Sequence, residues 1–203
     1  MPDWLSLDSG IRYLKSTADP LSADIGLIRG KDHLWLFDVG AGAQALERMQ
    51  ALPQKPCVVL SHFHPDHMSN LDKLDWEALY LGHYTYKKTG FGTVVRKPMT
   101  ISDGSQLTIF PIPSSHAKGS LGLEVNETYA FLGDAVYSGA KQGCSVYNVT
   151  LLKDTIASLR TLRAPYFLLS HAEPFVQKRD EVLAMLEGIY AQRKPSCPDI
   201  FPK

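Results

Sequence analysis

Cysteine is scarce in this chain: Cys57, Cys144 and Cys197 are the only three in 203 residues, odd in number and far apart. They form no C-x-x-C pair and no disulfide framework, so three reduced thiols are expected, with Cys57 in an apolar run, Cys144 on a Gly-flanked loop and Cys197 in a Pro-rich segment. Net charge is also missing, because 21 Lys and Arg balance 21 Asp and Glu. That excludes a global basic field of the kind that gathers nucleic acid, and it excludes an acidic tail. No apolar run approaches the ~20 residues that a bilayer crossing requires, so no membrane association is expected. The opening MPDWLSLDSG has no charged stretch followed by an apolar one. No secretory signal is read there, and the expected location is cytoplasmic. A G-x-S-x-G nucleophile elbow is absent as well, which argues against a serine hydrolase.

What is present is the chemistry of one short stretch. Ser61-His62-Phe63-His64-Pro65-Asp66-His67 puts three imidazoles and a carboxylate into six consecutive positions. The apolar Cys57-Val58-Val59-Leu60 before it reads as a buried strand. A strand that ends in clustered nitrogen and oxygen donors presents a metal site at a sheet edge. Neutral imidazole with carboxylate suits Zn, Fe or Mn better than Ca or Mg.

The remaining pattern is mixed α/β. Strands are expected over 11–16, 24–29 and 33–38, with a turn at Gly30-Lys31-Asp32, and over 57–61 and 77–81. Helices are expected over 43–52 and from His67 towards Leu74. Residues 83–99 read as an irregular pocket-lining loop. Strands follow at 106–112, 120–125 and 128–133, with Asn126-Glu127 as a hairpin turn. A helix over 149–162 carries apolar residues at 151, 152, 156, 159 and 162. A strand at 166–170 and a last helix over 175–191 complete the series. The length suits one sizeable domain, expected over 1–193, with a loose Pro-rich tail at 194–203. The elements alone give an α/β chain in two halves.

Three further donors each follow an apolar run, as His62 does. His116 follows 107–112 and a short Pro-Ser-Ser, Asp134 follows 128–132 and Gly133, and His171 follows 166–169 and Ser170. Strand ends gathered at one edge would bring them to one cleft. With H-x-H-x-D-H at 62–67, a later His, an Asp and a last His in that order, the chain resembles the metallo-β-lactamase superfamily from about Asp24 to His171. The resemblance implies an αββα sandwich of two mixed sheets with helices outside. It implies two divalent ions, zinc foremost, with iron or manganese as alternatives. His62, His64 and His116 would hold the first ion, Asp66, His67 and His171 the second, and Asp134 would bridge them. Asp38, in an Asp-x-Gly match, would orient the ligands from behind. Met68-Ser69-Asn70 departs from the Gly residues that many relatives carry after the motif.

The implied activity is hydrolysis, in which a metal-bridging hydroxide attacks a small ester, thioester or lactone. Asp66 would orient the nucleophile and relay a proton. A phosphodiesterase with the same site is the nearest rival, and a mononuclear-iron sulfur dioxygenase is the redox alternative. Only 32 residues follow His171, too few for the helical domain of glyoxalase II proteins. The expected partner is a small-molecule substrate. Its contacts are expected from His83, Tyr84, Tyr86, Lys118, Tyr137, Lys141 and Tyr147 in the loops around the metals. His33 and His83 have no place in the motif; His33 reads as a strand residue.

Overall fold

The structure, a computed structural model, describes residues 3–202. Its frame is two mixed β-sheets packed face to face. The first holds seven strands in the spatial order Leu5–Ser6, Ile11–Leu14, Ile25–Arg29, Leu34–Phe37, Cys57–Val59, Ala78–Leu81, Thr93–Val94. The second holds six in the order Met99–Ser102, Gln106–Ile112, Ser120–Val125, Tyr129–Gly133, Tyr166–Leu169, Val176–Lys178. In the first sheet the strands from Leu34–Phe37 through Thr93–Val94 run parallel; in the second, Tyr129–Gly133 and Tyr166–Leu169 do.

Side-chain alternation builds the layers. Trp35, Phe37, Cys57 and Val59 point inward and meet Leu107, Ile109, Leu121, Leu123 and Phe131 of the opposite sheet. Their neighbours Leu36 and Val58 point outward, against Met49 of helix α1 (Ala43–Gln50) and Leu71. On the far side, Phe110, Ile112, Ala130, Leu132 and Phe167 pack under α4 and α5 (Val149–Arg160 and Arg179–Ala191). Burying a large apolar side chain stabilises by ~1.5–3 kcal/mol, so these three layers carry the fold. The result is the αββα sandwich expected from the sequence. Among the described residues no helix is long and apolar enough to cross a membrane.

Several local expectations need correction. The 83–99 segment is not an irregular loop, because helix α3 spans His83–Thr89 and the strand Thr93–Val94 follows. Its Thr and Tyr content masks the helix, but Gly90 ends it in the left-handed conformation, φ 77°. Gly82 starts it where no other residue fits, since a Cβ there would sit 1.8 Å from the Gly119 carbonyl oxygen. The helix expected from His67 is a short α2 at Pro65–Met68 followed by a 3₁₀ turn at Leu71–Lys73. The last helix begins at Arg179, because Val176–Lys178 pairs with Tyr166–Leu169 as an edge strand. The tail expected to be loose over 194–203 is anchored within its described part, which ends at residue 202: Ile200 pairs with Tyr147 and is buried in the core beneath α4. The Asn126-Glu127 turn forms as expected, both residues having positive φ.

Candidate metal centre

Parallel strands deliver their following residues to one rim. Asp38 leaves the Leu34–Phe37 strand, Ser61 and His62 follow Cys57–Val59, Asp134 follows Tyr129–Gly133 and His171 follows Tyr166–Leu169. His116 arrives from the loop between Gln106–Ile112 and Ser120–Val125. The chain turns back over the rim through α2, which carries Asp66 and His67, with His64 at its N-cap and Pro65 at its start fixing the entry.

The seven side chains converge into two groups. One ligand atom from each of His62, His64 and His116 lies within 4.8 Å of the others, and so do those of Asp66, His67, Asp134 and His171. The groups adjoin: the His62 and His67 rings are 4.1 Å apart. Asp134 stands between them, its Oδ2 being 3.3 Å from His67 Nε2 and 3.3 Å from His116 Nε2. His116 Nε2 is 3.0 Å from His64 Nδ1, and His171 Nε2 is 3.0 Å from Asp66 Oδ2.

The rings are held from behind. Asp38, fully buried, accepts from the Ser61 amide at 2.7 Å, from Ser61 Oγ at 2.7 Å and from His67 Nδ1 at 2.7 Å. Ser61 Oγ in turn lies 2.9 Å from His62 Nδ1. With the hydroxyl proton given to Asp38, Ser61 accepts the proton of His62 Nδ1. Both rings therefore turn their Nε2 inward. Likewise His116 Nδ1 donates to the Ser138 carbonyl at 3.1 Å. This arrangement fixes tautomer and ring plane in metal-binding histidines. Gly133 lets the second sheet approach, because a Cβ there would meet Ser61 at 2.8 Å.

Two backbone positions here are strained. Asp38 has φ 62° and His171 φ 61°, in the left-handed region that side chains with a Cβ seldom occupy. His171 is kept there by its amide, which donates to Asp24 Oδ2 at 3.0 Å. Asp24 is a residue that motif reading missed. Its only sequence signal is a carboxylate inside the apolar stretch Ala23-Asp24-Ile25, and burial pushes its carboxyl up.

The electrostatics suit a cation. Burial, then the neighbouring imidazoles, drives His62 far down, so it stays neutral. Burial and His116 also lower His64. Burial alone would lower His67, but the Asp38 and Asp134 carboxylates outweigh it and hold it at about 10. His171 is raised, chiefly by its bond to Asp66. The donor set therefore fits a metal: His62 Nε2, His67 Nε2 and Asp134 Oδ1 are buried, aimed into the cluster and without hydrogen-bond partners. Such atoms are costly unless something binds them.

The residues expected to touch substrate divide. Tyr84 is exposed on α3, with Lys87 Nζ 5.2 Å and Lys118 Nζ 5.9 Å from its ring centre. Lys88 Nζ lies 6.0 Å over Phe63, whose ring is 5.2 Å from that of His64. Phe63, Lys87 and Lys88 were not foreseen as part of this rim. His83 keeps a buried, unpartnered Nδ1 at the start of α3, and Tyr86 is exposed further along it. Tyr137 is 6.5 Å from His116, but its hydroxyl is committed to the Ser170 carbonyl at 2.7 Å, making it a brace. Tyr147 is a correction: it is buried under α4 with its hydroxyl on the Val136 carbonyl at 3.1 Å, a packing residue. Lys141 pairs with Asp199 at 2.5 Å.

Comparison with known proteins accords with this geometry. The family model described as Metallo-beta-lactamase superfamily matches residues 18–78, the segment with Asp24, Asp38 and the histidine motif. No curated protein matches the sequence. Among solved structures, a metallo-beta-lactamase from Pontibacter korlensis is 15% identical, with TM-score 0.64, over 92% of this chain and 99% of that one. A variant of the flavo di-iron protein from Thermotoga maritima is 12% identical, with TM-score 0.70, over 97% of this chain and 63% of its own length. The peroxy di-iron form of the chemotaxis sensor ODP is 16% identical, with TM-score 0.65, over 92% and 94%. The family model thus covers the segment that carries the histidine motif, and these solved structures, each 16% identical or less, share the sandwich fold with this chain.

Proposed function

We propose that this protein is a metal-dependent hydrolase of small, negatively charged esters, thioesters or lactones, using two divalent ions, zinc foremost. The observation that carries the reading is Asp134 Oδ2, equidistant at 3.3 Å from an imidazole of each donor group. In this reading His62, His64 and His116 would hold one ion and Asp66, His67 and His171 the other, with Asp134 available to both. The ions, when bound, supply Lewis acidity and a water acidic enough to react near neutral pH.

The chain's own residues do the rest. Asp38 and Ser61 fix the orientation and tautomer of each of the His62 and His67 rings, so the donors need no reorganisation during turnover. Asp66 lies on the open side, its side chain 15% exposed, where its carboxylate can take the proton of an attacking water. Phe63 stands beside His64, and α3, whose Lys88 lies over Phe63, presents Tyr84; these rings offer an apolar wall against which a small acyl group can lie. Lys87, Lys88 and Lys118 ring that wall, and among the described residues none has an acidic partner. Unpaired cations beside the site favour a substrate carrying carboxylate or phosphate. A phosphodiester could use the same apparatus.

The test is metal analysis of freshly purified protein with a panel of carboxylated thioesters, lactones, β-lactams and a phosphodiester. About two zinc ions per chain and chelator-sensitive hydrolysis of one class are expected. A redox reading has its own support in the two di-iron neighbours. Iron without hydrolysis, together with oxygen uptake on adding a persulfide, would replace the hydrolase reading with that one.

A further inference from the structure

The same parallel strands have a second end. His33 stands just before Leu34–Phe37, Cys57 opens Cys57–Val59, and Glu77 stands just before Ala78–Leu81. Parallel, adjacent strands bring their starting residues together, here at the rim opposite the His/Asp cluster. One ligand atom from each of His33, Cys57 and Glu77 lies within 4.8 Å of the others. His33 Nδ1 is 3.0 Å from Glu77 Oε2. Cys57 is buried, whereas the His33 and Glu77 side chains are 38% and 50% exposed, so the group is walled on one side and open to solvent on the other.

We propose that His33, Cys57 and Glu77 form a second, separate site for a soft divalent cation of the zinc type, with solvent in the remaining position. Imidazole, thiolate and carboxylate are all zinc ligands, and the thiolate selects against Mg and Ca. Thiolate and carboxylate together carry two negative charges, which one divalent ion neutralises. The frame is held in advance: the Asp103 carboxylate accepts from the Asp32 amide at 2.7 Å, the His33 amide at 3.1 Å and Trp35 Nε1 at 2.9 Å, fixing the turn that presents His33. In the metal-free protein the bond to Glu77 raises the pKa of His33. Burial, with Glu77 and Asp103 adding to it, pushes the Cys57 thiol up to about 11. Binding therefore displaces the Cys57 thiol proton, and it tightens as pH rises.

The His/Asp cluster contains no sulfur, which separates the two sites spectroscopically. The experiment loads the metal-free Cys144→Ser/Cys197→Ser protein with cobalt(II) and records thiolate-to-cobalt charge-transfer absorption. The expected result is a band that zinc abolishes and that Cys57→Ser removes. Glu77→Gln, a surface change that leaves the core intact, should weaken cobalt binding at this band at least tenfold. Absence of the band in the parent, or its survival in Cys57→Ser, would overturn the proposal. So would unchanged affinity in Glu77→Gln.

Discussion

Asp38 and Asp103 collect donors at opposite ends of the Leu34–Phe37 strand, and the contrast between them separates function from stability. Both are buried, and each accepts from three groups. At Asp103 the donors are two backbone amides and an indole that end there, closing the turn before the strand. At Asp38 the donors are a link in a longer chain: Ser61 and His67 pass the orientation on to nitrogens aimed at unpartnered space. One end is saturated with hydrogen bonds. The other keeps buried polar atoms unmatched and its backbone strained at Asp38 and His171. Proteins tolerate that combination where a ligand completes the bonding.

The sharpest way to break the contrast is at the shared carboxylate. Asp134→Ala should lower turnover by about three powers of ten or more, since several kcal/mol of charge stabilisation depend on two correctly placed ions. Metal analysis should show fewer than two ions per chain, and kcat should fall more than KM rises. Next comes the pair itself. Asp103→Ala should cost about 3 kcal/mol or more in urea unfolding, because the buried Trp35 indole and two part-buried amides lose their acceptor. Its folded fraction should turn over normally. Asp38→Ala should do the reverse in emphasis, with metal affinity and activity falling about 10–100-fold. If Asp103→Ala abolished metal binding at the His/Asp cluster, the two ends would not be independent.

Removing metal sharpens the same comparison. A ligand that binds only the folded state at 100 times its Kd adds about 2.7 kcal/mol, so chelation should lower the melting temperature and zinc restore it. Acid acts on the other end. Burial alone would raise the Asp103 carboxyl, but the Trp35 indole and the Asp32 and His33 amides outweigh it and hold it below the ordinary range. A lowered carboxyl contributes stability that is full above its unfolded value, about 3.9, and is lost as pH falls through the folded value. Unfolding of metal-free Asp103→Asn should therefore be less acid-sensitive than that of the parent below pH 4.

How much of this was legible depends on sequence distance. The H-x-H-x-D-H stretch lies within one strand-end turn, so its chemistry is visible as spacing. His116, Asp134 and His171 were visible as polar residues after apolar runs, and the structure brings them to the same rim. Asp24 was not, because its role is a bond to an amide 147 residues away. Ile200 was hidden by the prolines around it, and burial against Tyr147 overrides that composition. Tyr147 itself was misplaced because a tyrosine near a loop looks the same in sequence whether its ring faces solvent or a core. Helix α3 was obscured by residues of modest helix propensity; its evidence was the flanking pair Gly82 and Gly90, whose meaning depends on the contact with Gly119.

The smallest effect lies on the rim. Lys118 is exposed and stands 5.9 Å from the Tyr84 ring, so its attraction for an anionic substrate is screened by solvent and salt. Lys118→Ala should raise KM for carboxylated substrates by about three- to tenfold at low ionic strength, with kcat nearly unchanged. The difference should fade as salt approaches 0.5 M, and a neutral ester of the same acyl group should show none. Tyr84→Leu keeps the apolar wall and removes the ring that the two lysines straddle, so it should reproduce part of the KM increase. A matching loss with neutral and charged substrates would mean that Lys118 supports the loop between Ala117 and Ser120 instead of reading charge, and that the substrate's negative group is recognised elsewhere around the cluster.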